Sequence, residues 1–355
     1  MTLAPRSLSE LQEAVGTSAP GALAIRGGGT KHLAARREAV QLDLRTLTGI
    51  VSYNPAECVV TALAGTAVRQ IDATLAAHGQ YLPFDPPLAR AGATLGGTVA
   101  TGASGPGRYR YGGVRDFVIG AAVVDGGGRL VRSGGQVVKN AAGFLLHHGL
   151  VGSAGRYGVV GEVSLKVFPR PEARLTLRIT CASLAEALDR HRRLRDAVHD
   201  LEALDVDLTG AIVWARLAGA SGPLPRRADR ARHAVGGGAV DVLEGADDAR
   251  VWEDAAELAW APSGSTIVRV PAAPGRLSEL TAALAAFGAL RSTSGGAAVL
   301  LATTRPVDDV QAALPSEARG VVLRGAECGR LLGRGRGNVF DERVRRTLDP
   351  ASRFA

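Results

Sequence analysis

The sequence predicts an α+β protein: a two-lobed N-terminal domain followed by a domain built on a largely antiparallel sheet of two ferredoxin-like halves. Three observations carry this. Over residues 1–90, short β-rich runs alternate with amphipathic stretches. From 91 to 168, glycine and other small residues become dense, and Pro169 and Pro171 then mark a boundary. From 172 to 325, the order strand–helix–strand–strand–helix–strand occurs twice. The expected limits are 1–171, in two parts of about 1–88 and 89–171, then 172–325 and 326–355.

The elements follow in order. "MTLAPRSLSELQEAV" offers Ser7 or Ser9 as the cap of an amphipathic helix, and lacks the charged start and apolar stretch of an export signal. "GALAIRG", "AVQLDLRTL" and "ECVVTALAGTAV" read as strands, and "VRQIDATLAAHG" as a helix closed by Gly79. "YLPFDPP" is too proline-rich for regular structure. "AGATLGGTVATGASGPG" permits close backbone approach, and "VIGAAVVDGGGRLVRSGG" is a β-hairpin about an Asp-Gly turn. The run from "KNAAGF" to "KVFPRP" gives a helix, a glycine loop and a strand.

In the second domain, "RLTLRIT", "LEALDVD", "GAIVWARLAG" and "AVDVLEG" are strands around the helices "SLAEALDRHRRLRDAV" and "RRADRARHAV". After the helical "DDARVWEDAAELAW", the order repeats from "STIVRVPA" to "GVVLRG". "GPLPRRADRARHAVGGG" is expected to be a mobile, exposed excursion, and Pro350 to stop a C-terminal helix.

Composition excludes several classes. At 355 residues, 46% apolar and 21% charged, the chain can bury two or three cores. No run of eighteen apolar residues exists, so no transmembrane helix is expected. The net charge of +8 raises nucleic acid, but the arginines are interleaved with acids, aromatics make up only 4%, and no basic-aromatic stripe forms; nucleic-acid binding is not expected. The three cysteines, Cys58, Cys181 and Cys328, are far apart. This argues against a disulfide, a zinc site or an iron–sulfur cluster on this chain, and for the reducing cytosol.

One stretch asks for chemistry. "AIRGGGTKH" runs from an apolar strand into Gly27, Gly28 and Gly29, with Arg26 before them and Thr30 and Lys31 after. Such glycines can expose a nest of amides to an anion, or simply make a turn. The spacing fits neither a Walker loop nor Gly-x-Gly-x-x-Gly.

At "GATLGGTVATGASGP", "RYGGVRDFVIG", "GGQVVKNAAGF" and "VGSAGRYGVVGEVSLKVFPRP", the chain resembles the FAD-binding domains of the vanillyl-alcohol oxidase/p-cresol methylhydroxylase (PCMH) superfamily. Within that superfamily it is similar to the FAD-binding subunits of bacterial glycolate oxidases. The likeness spans about residues 24–170 and returns at "LDPASRF". It implies a PCMH-type two-lobed FAD-binding domain, a cap, and noncovalent FAD. Arg26, Gly27, Gly28, Gly29, Thr30 and Lys31 then match the pyrophosphate loop. Thr94, Leu95, Gly96 and Gly97, with Thr101, Gly102, Ser104 and Gly105, match a second cofactor segment. Val159 and Val160 match a strand against the flavin and adenine. Gly112, Arg115 and Asp116 match a turn in which Arg115 and Asp116 either contact the cofactor or fix the turn as an ion pair.

The sequence departs from the family at Lys139-Asn140-Ala141-Ala142-Gly143-Phe144-Leu145, where a Tyr-Asp pair is usual at the end, and in having His147 and His148. Adjacent histidines on a helix point to different faces, so a solvated or hydrogen-bonded helix end is expected there rather than a metal pair. His32 is displaced from the position that tethers flavin in some members. The cap lacks a histidine-rich motif, and His191, His199 and His233 lie at or near helices, so no catalytic metal is expected.

The function this implies is oxidation of a 2-hydroxy acid such as glycolate, with hydride passing from Cα to flavin N5 and electrons leaving to a partner. Arg269 and Arg324 are candidates to hold the substrate carboxylate; the general base is open. The implied partners are a second flavoprotein subunit and an iron–sulfur subunit, through which any membrane association would arise. The alternatives are a non-catalytic flavin-binding relay or stabilising subunit, and a reductase of the cell-wall enolpyruvyl-sugar type.

Overall fold

The computed structural model describes residues 2–21, 23–31, 39–135, 145–333 and 339–354. They divide into two compact units, one of residues 2–104, 113–170 and 339–354, the other of 105–112 and 171–333.

In the first unit, β1 (Thr2–Leu3), β2 (Leu23–Arg26) and β3 (Val40–Asp43) form a parallel sheet of order β1-β3-β2. The helix Leu8–Gly16 begins at Ser7, whose hydroxyl accepts the Glu10 N–H at 3.1 Å, satisfying one orphan donor of the first turn. Its Leu11 and Val15 pack with Leu23, Leu42, Val159 and Phe354 in one apolar core. The last residues brace β2: the Leu23 N–H donates to the Arg353 carbonyl at 3.1 Å, and Phe354 bridges Leu23. The buried Asp349 carboxylate fixes that tail by accepting the N–H groups of Arg353 (2.8 Å) and Phe354 (3.1 Å).

The remaining strands of this unit are β4 (Ile50–Asn54), β5 (Val59–Leu63), β6 (Gln80–Tyr81), β7 (Val118–Val124), β8 (Leu130–Gly134), β9 (Val159–Lys166) and β10 (Phe168–Pro169). Five of them make an antiparallel sheet of order β4-β5-β9-β7-β8, and β6 pairs with β10. The hairpin read at "VVDGGGRLV" is β7–β8. The sequence reading did not assign β1, β4 or the helix Leu95–Thr101. The helix escaped because its glycines and threonines have low helix propensity; Thr94 as N-cap compensates.

The second unit holds β11 (Ala173–Thr180), β12 (Leu201–Asp207), β13 (Ile212–Gly219), β14 (Val240–Glu244), β15 (Thr266–Pro271), β16 (Gly288–Thr293), β17 (Ala298–Thr303), β18 (Gly320–Arg324) and β19 (Leu331–Leu332). They form one antiparallel sheet of order β14-β11-β13-β12-β16-β17-β15-β18-β19. Numbered within each half, the orders are 4-1-3-2 and 2-3-1-4: two ferredoxin-like halves joined where their second strands, β12 and β16, pair. Alternation sends Leu175, Leu177, Leu204, Val206, Val268, Val270, Val299 and Leu301 into one core. Opposite that core, the helix Gly245–Ala256 lays Trp252 and Ala255 on Ala203.

One expectation is corrected here. The stretch "GPLPRRADRARHAVGGG" is not a mobile excursion: its helix Leu224–Ala234 buries Leu224, Ala228 and Ala231 in the core. The charged residues between them occupy the outer face, which hid the apolar stripe.

Candidate functional site

Strand β2 ends at Arg26 and delivers the chain into Gly27–Gly28–Gly29. This loop is held by Thr94, whose hydroxyl accepts the Gly28 N–H at 3.3 Å and the Gly97 N–H at 3.4 Å. The same neighbourhood is laced to the end of β5: Gly96 N–H donates to the Ala64 carbonyl at 2.8 Å, and Leu95 N–H to the Thr66 carbonyl at 2.9 Å. A Cβ on Gly28 would fall 1.9 Å from the Gly92 carbonyl oxygen, so side-chain-free backbone is required for packing itself. On Gly97 a Cβ would meet only the Thr94 hydroxyl, at 3.2 Å.

Loop and helix bound a cavity of about 950 Å³, part of it open to solvent. Arg26 to Lys31 form one wall; Thr94, Gly96, Gly97 and Thr101 form the second; Val160 stands on the third. Eleven of the nineteen cofactor residues read from sequence therefore line one space. The cofactor residues named from sequence do not include Ala24, Ile25, Gln41, Leu44, Ala64, Ala100, Ala154, Gly155 and Gly158; all but Gln41 are small or apolar and carry no chemical signature. Its electrostatics are cationic. The Arg26 Nε is buried and makes no hydrogen bond among the described residues. Lys31 Nζ donates to the Thr30 hydroxyl at 3.3 Å. Asp43, paired in register with Arg26, is engaged by Arg45, whose Nη2 lies at 2.5 Å; the hydrogen bonds from Arg45 hold that carboxyl below its ordinary range.

The other eight do not line this cavity. Leu95 is buried, and Val159 faces the core beneath β2 because neighbouring strand residues alternate. Gly102 is the left-handed C-cap of the helix, at φ +61°. Ser104 accepts the Val114 N–H at 2.9 Å, closing the neck where residues 105–112 leave the first unit. Gly105 and Gly112 belong to the second unit. Asp116 fixes its turn by accepting the Gly113 N–H at 2.8 Å, and no Arg115–Asp116 ion pair occurs among the described residues.

His147 and His148 are not splayed as expected: their rings meet edge to face at 4.5 Å, with Ser133 Oγ 2.9 Å from His147 Nδ1 and the Val118 carbonyl 3.2 Å from His148 Nε2. Both are hydrogen-bonded, and burial lowers the pKa of His147. His32 and residues 139–144 lie outside the described residues. Among those described, no three His, Cys, Asp or Glu side chains cluster to hold a metal, and no helix is long and apolar enough to cross a membrane.

In the second unit, Arg269 lies on β15 and Arg324 ends β18 opposite Ile267. Segment 105–112 is tied there by Arg110 Nη1 to the His199 carbonyl (2.9 Å) and by the Tyr111 hydroxyl to Glu202 (3.3 Å). His191, also in this unit, is buried with its Nε2 unbonded among the described residues, and burial lowers its pKa to about 4.

Residues 1–134 match the FAD binding domain family. The chain is 44% identical over 182 residues to the glycolate oxidase subunit GlcE of Escherichia coli (strain K12), covering 51% of each chain. It is 30% identical over 168 residues to a D-lactate dehydrogenase of Archaeoglobus fulgidus, covering 46% of this chain and 37% of the relative. These alignments thus span about half or less of the relatives' lengths. Among solved structures, an alkyldihydroxyacetonephosphate synthase superposes over 99% of this chain and 74% of its own, at a TM-score of 0.70 and 15% identity. A chitooligosaccharide oxidase does so over 99% and 89%, at 0.70 and 14%. At such identities the likeness shows the fold.

Proposed function

We propose, from the match of residues 1–134 to the FAD binding domain family, that the protein is the FAD-binding subunit of a glycolate-oxidase-like 2-hydroxy-acid dehydrogenase with a PCMH-type domain. The observation that carries the reading is the glycine-loop cavity joined to the 44% identity with a glycolate oxidase subunit. The residues suit the cofactor. The buried, unbonded Arg26 Nε and the nearby Lys31 offer positive charge to a diphosphate. The loop Gly27–Gly29 presents backbone without side chains, and small residues at Ala100, Ala154 and Gly155 leave room along the cavity.

Bound FAD supplies the two-electron acceptor for the Cα–H bond of a 2-hydroxy acid. The chain's own part would be to offer Arg26 and the glycine loop to a diphosphate, to keep the loop in register through Thr94, and to present Val160 as an apolar part of the cavity lining. Electrons leave to partner subunits, a second flavoprotein and an iron–sulfur protein. The separated cysteines support that assignment, since this chain supplies no cluster motif of its own. A relay or stabilising role is the second reading, favoured by the absence of a histidine-rich cap motif.

The test is anaerobic assay of the purified chain, alone and co-purified from its native cell, with glycolate and an artificial electron acceptor. The account expects slow or no turnover alone and rapid turnover with partners. Rapid turnover alone, with hydrogen peroxide formed in air, would make the chain a self-sufficient oxidase and overturn the multisubunit reading.

A further inference from the structure

The loop 152–158 leads into β9 and sets Ala154, Gly155 and Gly158 on the cofactor cavity. Three of its residues, Gly152, Ala154 and Gly155, lie in the left-handed region at φ +79°, +56° and +80°. The β-carbon of Ala154 disfavours that conformation, so ties from outside the loop have to fix it. One set runs to the helix Leu95–Thr101: the Gly152 N–H donates to the Val99 carbonyl at 3.0 Å, and the Ala154 N–H to the Ala100 carbonyl at 2.8 Å. A second set runs to the C-terminal helix Val339–Leu348. The Tyr157 hydroxyl donates to Asp341 Oδ1, and Arg156 Nη1 stands 3.6 Å from Asp341 Oδ2. Burial, and then the bond to Asp341, raise the pKa of Tyr157, so the phenol stays a proton donor.

The far end of that helix is anchored separately. The Gly126 N–H donates to the Leu348 carbonyl at 2.7 Å, and the residues that follow brace β2 through Arg353 and Phe354. One C-terminal segment thus holds both the strand that carries the glycine loop and the loop that carries Gly155. Those two are in close contact, since a Cβ on Gly155 would fall 2.8 Å from Ile25 Cδ1. We infer that Asp341, with Tyr157 and Arg156, positions the cofactor wall: the C-terminal helix straps the loop 152–158 in its cavity-lining shape, and opening of this strap is a step in cofactor release. The strap rests on the reading of the cavity as a FAD site, and needs no contact between Asp341 and the cofactor. The coupling is reciprocal, so whatever strap closure adds to FAD binding, bound FAD adds to strap closure.

The test follows flavin release, and amide hydrogen exchange across 339–348, in the full chain with FAD bound and after its removal. In the parent, which needs no substitution, bound FAD should slow exchange of that helix several-fold. Asp341→Ala removes both ties and should speed FAD release by about tenfold; Tyr157→Phe keeps the ring, loses one hydrogen bond and should speed it by less. In Asp341→Ala the effect of FAD on exchange should vanish, and Asp341→Asn, which still accepts from Tyr157, should restore most of it. A contact that merely packs the helix would speed exchange in the variants equally with and without FAD. Exchange across 339–348 that ignores FAD in the parent, or FAD release unchanged in both Asp341→Ala and Tyr157→Phe, would overturn the strap and leave the FAD reading standing. A parent that binds no FAD would overturn that reading, and the strap with it.

Discussion

Thr94 and Gly97 show how single residues decide the cofactor cavity. The Thr94 hydroxyl accepts from both Gly28 and Gly97, so it joins the loop to the start of a helix. Thr94→Val removes that acceptor and should cost about 1 kcal/mol of stability with weaker flavin retention. The two glycines differ in kind. Gly97 has space on the cavity side, so Gly97→Val should place methyl groups there, abolish FAD retention and leave the melting transition nearly unchanged. Gly28→Ala drives a Cβ into the Gly92 carbonyl, and should lower stability as well as flavin content. Measuring melting temperature and bound flavin on both variants separates the two effects; full flavin in Gly97→Val would mean the cavity is not the cofactor site. Sequence marked the glycines but not this distinction, because a glycine required by a facing carbonyl and one facing a cavity read alike.

At the scale of elements, strands were legible wherever alternation was strong, as in β11 to β13 and β15 to β18. The pair β12–β16 that fuses the two halves was not, since nothing local encodes the pairing of Val206 with Ser292 and of Asp207 with Arg291. In β9, alternation separates Val160, on the cavity, from Val159, in the core; a motif match treats them as equals. The helix Leu184–Ala197 was read correctly, but not that it buries His191 at 2% exposure. Burial holds that imidazole neutral, with its folded pKa near 4 against 6.5 unfolded. The unfolded chain therefore binds more protons between these values, so the stability is fully present above pH 6.5 and is lost as pH falls towards 4. The loss should be on the order of 2–3 kcal/mol, read as a falling denaturant midpoint of the second unit. His191→Met should flatten that dependence; an equal slope in the variant would assign it to other groups.

The whole molecule joins two units of different logic. The first is assembled from distant pieces: residues 349–354 brace β2, which carries the glycine loop. The second takes in residues 105–112 from the middle of the first, a crossing invisible to a linear reading that ended the first domain at 171. Residues singled out by the resemblance in the loop, in the Thr94 segment and at Val160 line one cavity, because those motifs carry local backbone constraints. All of this turns on one claim, that the glycine-loop cavity holds FAD without a covalent bond. The direct measurement is acid precipitation of the purified protein, followed by identification of the flavin. The account predicts one FAD per chain, released to the supernatant. Flavin retained in the pellet, FMN in place of FAD, or a protein that carries no flavin and binds none when FAD is added would contradict it.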